Sequence, residues 1–191
     1  MISTSPTSRV RRSGPTNRRL DRYGGSHENR VRFLLEIVEQ TGSAIGPDRL
    51  GVRLSPFGQY GGIHDSDVLQ LFNFAIQSLN GRVAYLHLIE GRGSEIGLSD
   101  ALHGDALNNA RLFRPLFKGP VISAAAYAPD IAAQAVEAVQ ADAIAFGRHY
   151  LANPDLVERI REGWLLAPYD RSTFYGGSVH GYTDYSVYGA A

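Results

Sequence analysis

The residues of this chain that could do chemistry cluster at the ends of short apolar runs. Gly147 and Arg148 directly follow the run Ala141–Phe146. A glycine lets backbone N–H groups close on an anion, and an arginine adds a bidentate fork, so this pair suits a phosphate. Arg53 lies inside a second run, Leu50–Leu54, where a guanidinium needs a partner. A third run, Val83–Ile89, carries His87 and is followed by Glu90. Those two have metal-ligand types, but i and i+3 on a strand face opposite sides, so structural hydrogen bonding is expected of them. His64, Asp65 and Asp67 also have metal-ligand types, yet they precede a helical pattern, and capping is the expected role. No metal site is therefore predicted. Ser172 and Thr173 stand near Asp170, with no histidine beside them in sequence to complete a triad. Tyr182, Tyr185 and Tyr188 could stack on bases, but nothing basic interleaves them, so packing is expected.

Charge and composition narrow the classes further. Lys+Arg and Asp+Glu are 19 each among 191 residues, so there is no electrostatic footprint for nucleic acid or an anionic membrane. With no cysteine, disulfide scaffolds, Cys-based zinc sites, iron–sulfur clusters and thiol catalysis are excluded. The apolar runs are too short for a membrane-spanning helix. Residues 1–15 belong to an Arg- and Ser-rich stretch that is free of acids as far as Asp21. It reads as a disordered tail on a cytoplasmic protein, with an organellar transit peptide as the alternative reading.

The elements that must position these groups alternate. Ser26 is a helix cap, and Val31, Leu34, Leu35 and Val38 form one apolar stripe behind it. A second stripe is Val68, Leu71, Phe72, Ala75 and Leu79, closed by Asn80-Gly81. Four strands are predicted, at 50–54, 83–89, 121–126 and 141–146. Helices follow the first, at 68–79, the second, at 107–114, and the third, at 131–139. After the fourth strand, Asn153 and Pro154 open a further short helix. Strand and helix in alternation mean a parallel sheet with helical crossovers. An open doubly wound sheet and a piece of a (β/α)8 barrel both satisfy that pattern. The first strand lacks the G-x-G-x-x-G of a dinucleotide-binding sheet, and no Walker A motif occurs. In a barrel, the strand C-termini that carry Arg53, Ala125-Ala126 and Gly147-Arg148 are where chemistry sits.

Five ordered motifs resemble the Old Yellow Enzyme family of FMN-dependent ene-reductases. They are Thr16-Asn17-Arg18-Arg19 with Tyr23-Gly24-Gly25-Ser26 and Glu28-Asn29-Arg30; Gly51 to Pro56; Tyr85-Leu86-His87 with Glu90; Phe146-Gly147-Arg148 with Asn153-Pro154-Asp155-Leu156; and Phe174 to Gly177 with Gly181 to Tyr185. The resemblance implies an α/β fold: residues 16–191 form the C-terminal half of an FMN-binding (β/α)8 TIM barrel, strands five to eight, with an irregular C-terminal tail. A whole barrel takes ~250 residues.

It also implies chemistry. NAD(P)H is the electron donor, FMN the cofactor, and the activated alkene of an enone the substrate. Arg53 is expected at the pyrimidine edge of the flavin, Gly147 and Arg148 at its phosphate, and Phe174 and Tyr175 beside the substrate. Ala125 and Ala126 stand where the family commonly has Gly-Gly, also near the phosphate. Their methyls crowd that group, and a left-handed backbone there is costly. The catalytic proton donor and the carbonyl-binding pair belong to the family's first half. The alternative function is a non-catalytic half-barrel that binds FMN or phosphate weakly, or acts only by association. The strands five and eight of a half-barrel are open edges, so a homodimer, or a complement with an N-terminal half, is the expected assembly.

Overall fold

The computed structural model describes residues 2–3, 16–58, 65–91, 108–176 and 178–189. His64 lies outside them. Five parallel strands form one sheet: β1 (Ile2–Ser3), β2 (Gly51–Leu54), β3 (Tyr85–Ile89), β4 (Val121–Ala124) and β5 (Ala143–Ala145). They lie side by side in chain order. Helices α1 (His27–Ile45), α2 (Val68–Ser78), α3 (Asn109–Phe113), α4 (Pro129–Glu137), α5 (Arg148–Ala152) and α6 (Leu156–Glu162), with short 3-10 turns at Pro47–Arg49, Arg114–Leu116 and Arg171–Thr173, complete the described elements. None of them is long and apolar enough to cross a membrane.

The two faces of the sheet differ. Val52, Leu54, Leu86, Leu88 and Val121 are fully buried against Val31, Leu34, Leu71, Phe72, Ile76 and Phe113, and these make the core. Alternation sends Arg53, Tyr85, His87, Ile89 and Ile122 to the opposite face. Register aligns Arg53 with His87 and His87 with Ile122. Most of that face is only half-buried, and Ala143 on β5 is exposed. A closed barrel would turn this face into its lumen.

Local signals explain the helices. The Ser26 hydroxyl accepts the Asn29 N–H at the start of α1, and Glu28 sits in its first turn. The turn before it is built by a bond from the Gly24 N–H to the Asp21 carbonyl, and Gly25 takes φ 80°. Arg30 on α1 forms a buried ion pair with Asp65, tying α1 to the segment that enters α2. Asp65 also accepts the Asp67 N–H. Asp67 itself stands at the cap of α2 without a capping bond, and contacts His27 Nε2 at 3.1 Å.

The structure corrects four expectations. Ile2–Ser3 are not disordered tail: they pair in parallel with Val52 and Arg53, because the open edge of β2 presents unpaired N–H and C=O groups. The rest of 1–15 lies outside the described residues. β4 stops at Ala124, since Ala125 (φ 90°) and Ala126 (φ 55°) turn into the left-handed region and break the ladder. A short helix, α5, begins at Arg148. Finally, Asn153 does not cap α6, which starts at Leu156 behind Asp155. Its amide instead donates to the Ala167 carbonyl at 3.2 Å and accepts the Ala167 N–H at 2.7 Å, stapling the chain beyond α6.

Candidate active site

Because all five strands run the same way, their C-terminal ends converge at one end of the sheet. Arg53 ends β2 on the inner face. Its Nε is buried without a hydrogen-bond partner, and no carboxylate among the described residues pairs with it. An inward cation without a counter-ion is poised for an anionic or electron-rich ligand. His87 is beside it, 7% exposed, with neither ring nitrogen hydrogen-bonded. Burial, and then the charge of Arg53, push its pKa down to about 4.

At the same end but toward the opposite edge of the sheet, beyond β5, Gly147 precedes α5, and a side chain built on it would meet nothing within 4 Å. The backbone is therefore open to an approaching group. The Arg148 guanidinium lies 5.6 Å from the centroid of Tyr169, and Arg171 lies 6.0 Å from the same ring. Tyr169 contacts Phe174 at 5.5 Å and His149 at 5.5 Å, and His149 contacts Phe146 at 6.3 Å. The structure thus brings Arg148 and Phe174 into one aromatic–cationic cluster. Tyr175 is 83% exposed and stands clear of it.

What holds these strand ends is a network that sequence reasoning saw only in part. Glu90 is buried and accepts from the Asn109 N–H (2.6 Å), the Ala110 N–H (3.1 Å), Ser123 (2.6 Å) and Tyr127 (3.3 Å). It satisfies the free N–H groups at the start of α3. The Asn109 amide donates to the carbonyls of Pro56 (2.9 Å) and Ile89 (2.6 Å). One carboxylate and one amide therefore lock the ends of β2, β3 and β4 together. The expected structural role of Glu90 is seen. His87 departs from it, since among the described residues neither ring nitrogen has a hydrogen-bond partner. Asn109 was not foreseen, and its only sequence signal is its place one residue into a helix.

The tail tyrosines pack only in part, on neighbouring C-terminal residues and not against the barrel, and Tyr182 and Tyr188 stay 42% and 48% exposed. Tyr188 stacks on Trp164 with centroids 4.5 Å apart, and its N–H donates to Asp155 at 2.7 Å. Arg159, 5% exposed, bonds Asp155 (2.7 Å) and the carbonyls of Leu165 (2.8 Å) and Ser186 (3.1 Å). The Tyr182 hydroxyl donates to the Phe174 carbonyl, and Tyr185 accepts the Asp170 N–H at 3.1 Å. Ser172 donates to Asp170, whereas His180 contacts Asp184 at 2.7 Å, so these residues form turns and not a triad. Among the described residues, no three His, Cys, Asp or Glu group to hold a metal.

A parallel βα half-barrel with a basic, open site at its strand C-termini is the class that fold and geometry define. Residues 12–166 match the profile of the NADH:flavin oxidoreductase / NADH oxidase family, so the chain belongs to that family. This bears out the resemblance to Old Yellow Enzymes. The chain is 41% identical over 184 residues to 12-oxophytodienoate reductase 7 of Oryza sativa subsp. japonica, covering 91% of this chain and 47% of that protein. It is 42% identical over 187 residues to the flavin oxidoreductase hxnT of Emericella nidulans, covering 88% and 48%. Among solved structures, morphinone reductase in complex with tetrahydroNAD superposes with a TM-score of 0.78 at 41% identity, over 90% of this chain and 45% of that one. The chain spans about half the length of the relatives it matches, and its sheet is half of their barrel.

Proposed function

We propose that this chain is the FMN-binding half of an NAD(P)H-dependent oxidoreductase that reduces the activated C=C bond of enones. The observation that carries this reading is Arg53: a cation on the inner face, with a buried unpartnered Nε and, among the described residues, no carboxylate paired with it. The residues present fit a flavin nucleotide, because Gly147 is also open at the far strand end. Arg53 would hold the pyrimidine edge. Gly147 and Arg148, with the backbone of Ala125 and Ala126, would hold the phosphate, and Phe174 and Tyr175 would border the substrate. When bound, the flavin supplies hydride transfer from nicotinamide to alkene. The protein's share is orientation and fixed charge. Arg53 favours negative charge on the adjacent ring, and the Glu90–Asn109 network keeps its strand end in place.

The proton donor and the groups that bind the substrate carbonyl are assigned to a first half-barrel. The edge of β5 is the open side where such a half, or a second copy of this chain, would pair; Ile2–Ser3 already occupy the edge of β2. A second reading, association without catalysis, draws on the methyls of Ala125 and Ala126 at the phosphate end. Titration with FMN, followed by enone-dependent NAD(P)H oxidation, tests both. The chain is assayed alone and mixed with the first half of a relative. Activity only in the mixture supports the half-enzyme. No flavin binding and no activity in either arm refutes it. Sedimentation reads the assembly: a single 20.8 kDa species that melts cooperatively rules out the dimer.

A further inference from the structure

His87 is a buried ionisable group that the proposed chemistry does not use. It shares the inner face and the register of Arg53, one strand away, a spacing of ~4.8 Å between the two backbones. Its two ring nitrogens and the Arg53 Nε are all buried and all without partners. From β4 the ring faces Ile122 and Ala124. From its own strand it faces Tyr85, whose ring lies over Gly51, and Ile89. The nearest acid in sequence, Glu90, is engaged with α3 and Ser123. Among the described residues Arg53 is therefore the one charge that His87 meets, and no carboxylate is there to welcome a proton.

Resting on the flavin reading above, we propose that His87 is the conditional second cation of this site. In mildly acid solution it is neutral while the charge of Arg53 is free, and takes up a proton when a negative group is seated against the guanidinium. Burial and Arg53 both oppose the imidazolium. A bound anion cancels the second of these and leaves the first. By linkage, a protonated His87 strengthens the hold on that anion by the same factor. The chemical class that exploits this is a ring that is neutral in one redox state and anionic in the other. In that mildly acid range His87 then adds positive charge only to the anionic state.

The test is a pH titration of the His87 imidazole by NMR in the full chain. In the unaltered protein the ring should titrate far below 6.5. Arg53→Met mimics a neutralised guanidinium and should raise the proton affinity of His87 about tenfold, with burial still keeping its pKa below 6.5. Arg53→Lys keeps the charge and should leave the titration in place. Arg53→Gln serves if the methionine variant does not fold. A wild-type ring that titrates near 6.5, or a titration unmoved by either neutral variant, overturns the proposal. Dithionite-reduced FMN added to the wild type should move His87 upward as Arg53→Met does. Reduced FMN that binds without moving it also overturns the proposal. If FMN binds neither the chain alone nor its mixture with a first half, the flavin reading fails, and the Arg53 variants still decide the coupling.

Discussion

Ala125 and Ala126 leave β4 with φ of 90° and 55°, and an L residue with a Cβ is strained there. The left-handed conformation costs such a residue ~1–2 kcal/mol. Replacement by glycine removes that cost, and returns ~0.5–1 kcal/mol to the unfolded chain as added freedom. The net gain is about 0.5–1 kcal/mol for each substitution. For a domain of this size, ~1 kcal/mol raises the Tm by roughly 2–4 °C. Ala125→Gly and Ala126→Gly together should therefore raise it by about 2–8 °C. Ala125→Gly should contribute the larger part, because 90° lies farther from the left-handed minimum near +57°. The same change removes two methyls from the proposed phosphate position, so FMN should bind more tightly to the double variant. Thermal melts followed by circular dichroism, with flavin titrations on the same samples, provide both readings. An Ala125→Gly variant that melts at or below the wild type would refute the strain argument.

Other perturbations test the rest of the site. Glu90→Ala leaves two buried N–H groups at the start of α3 and the Ser123 hydroxyl without their acceptor, and should cost about 2–4 kcal/mol in urea unfolding. Arg148→Ala should weaken oxidised-FMN binding far more than Arg53→Ala, since a charge-assisted phosphate contact is worth ~1.5–3 kcal/mol and the oxidised ring is neutral. Arg53→Ala should instead lower the reduction potential, and equal affinity losses would contradict the assignment. Arg159→Ala should release the tail, seen as faster amide exchange over residues 164–189 with α1 and α2 unchanged. The depressed pKa of His87 also sets a pH dependence. The unfolded chain binds the proton at about 6.5 and the folded chain at about 4, so this contribution is complete above 6.5 and is lost as pH falls to 4. The loss is up to about 3 kcal/mol. His87→Gln should flatten that part of the stability curve, and an unchanged slope between pH 4 and 6.5 would count against it.

Much of the fold was legible from local pattern. The stripes Val31-Leu34-Val38 and Leu71-Phe72-Ala75 lie on helices, and the apolar runs at 50–54, 83–89, 121–126 and 141–146 each contain a strand. Those signals are periodic, and burial of one face enforces the period. Arg53 and Gly147-Arg148 stood out for a related reason: each is a charge or a glycine where an apolar strand ends. Tertiary structure decided the features that depend on segments distant in sequence. No periodicity in Ile2–Ser3 announces a strand, which exists because β2 offers it an edge. Asn109 matters because the ends of β2 and β3 meet over it, 53 and 20 residues away. Arg159 is buried because Ser186, 27 residues on, folds back to cover it. The position of His87 is likewise a property of the face: β2 and β3 had to align before Arg53 became its neighbour, and among the described residues no carboxylate pairs with either. A hydrogen bond or a charge pair has no period along the chain, so its partner is chosen only when the backbone brings the two together.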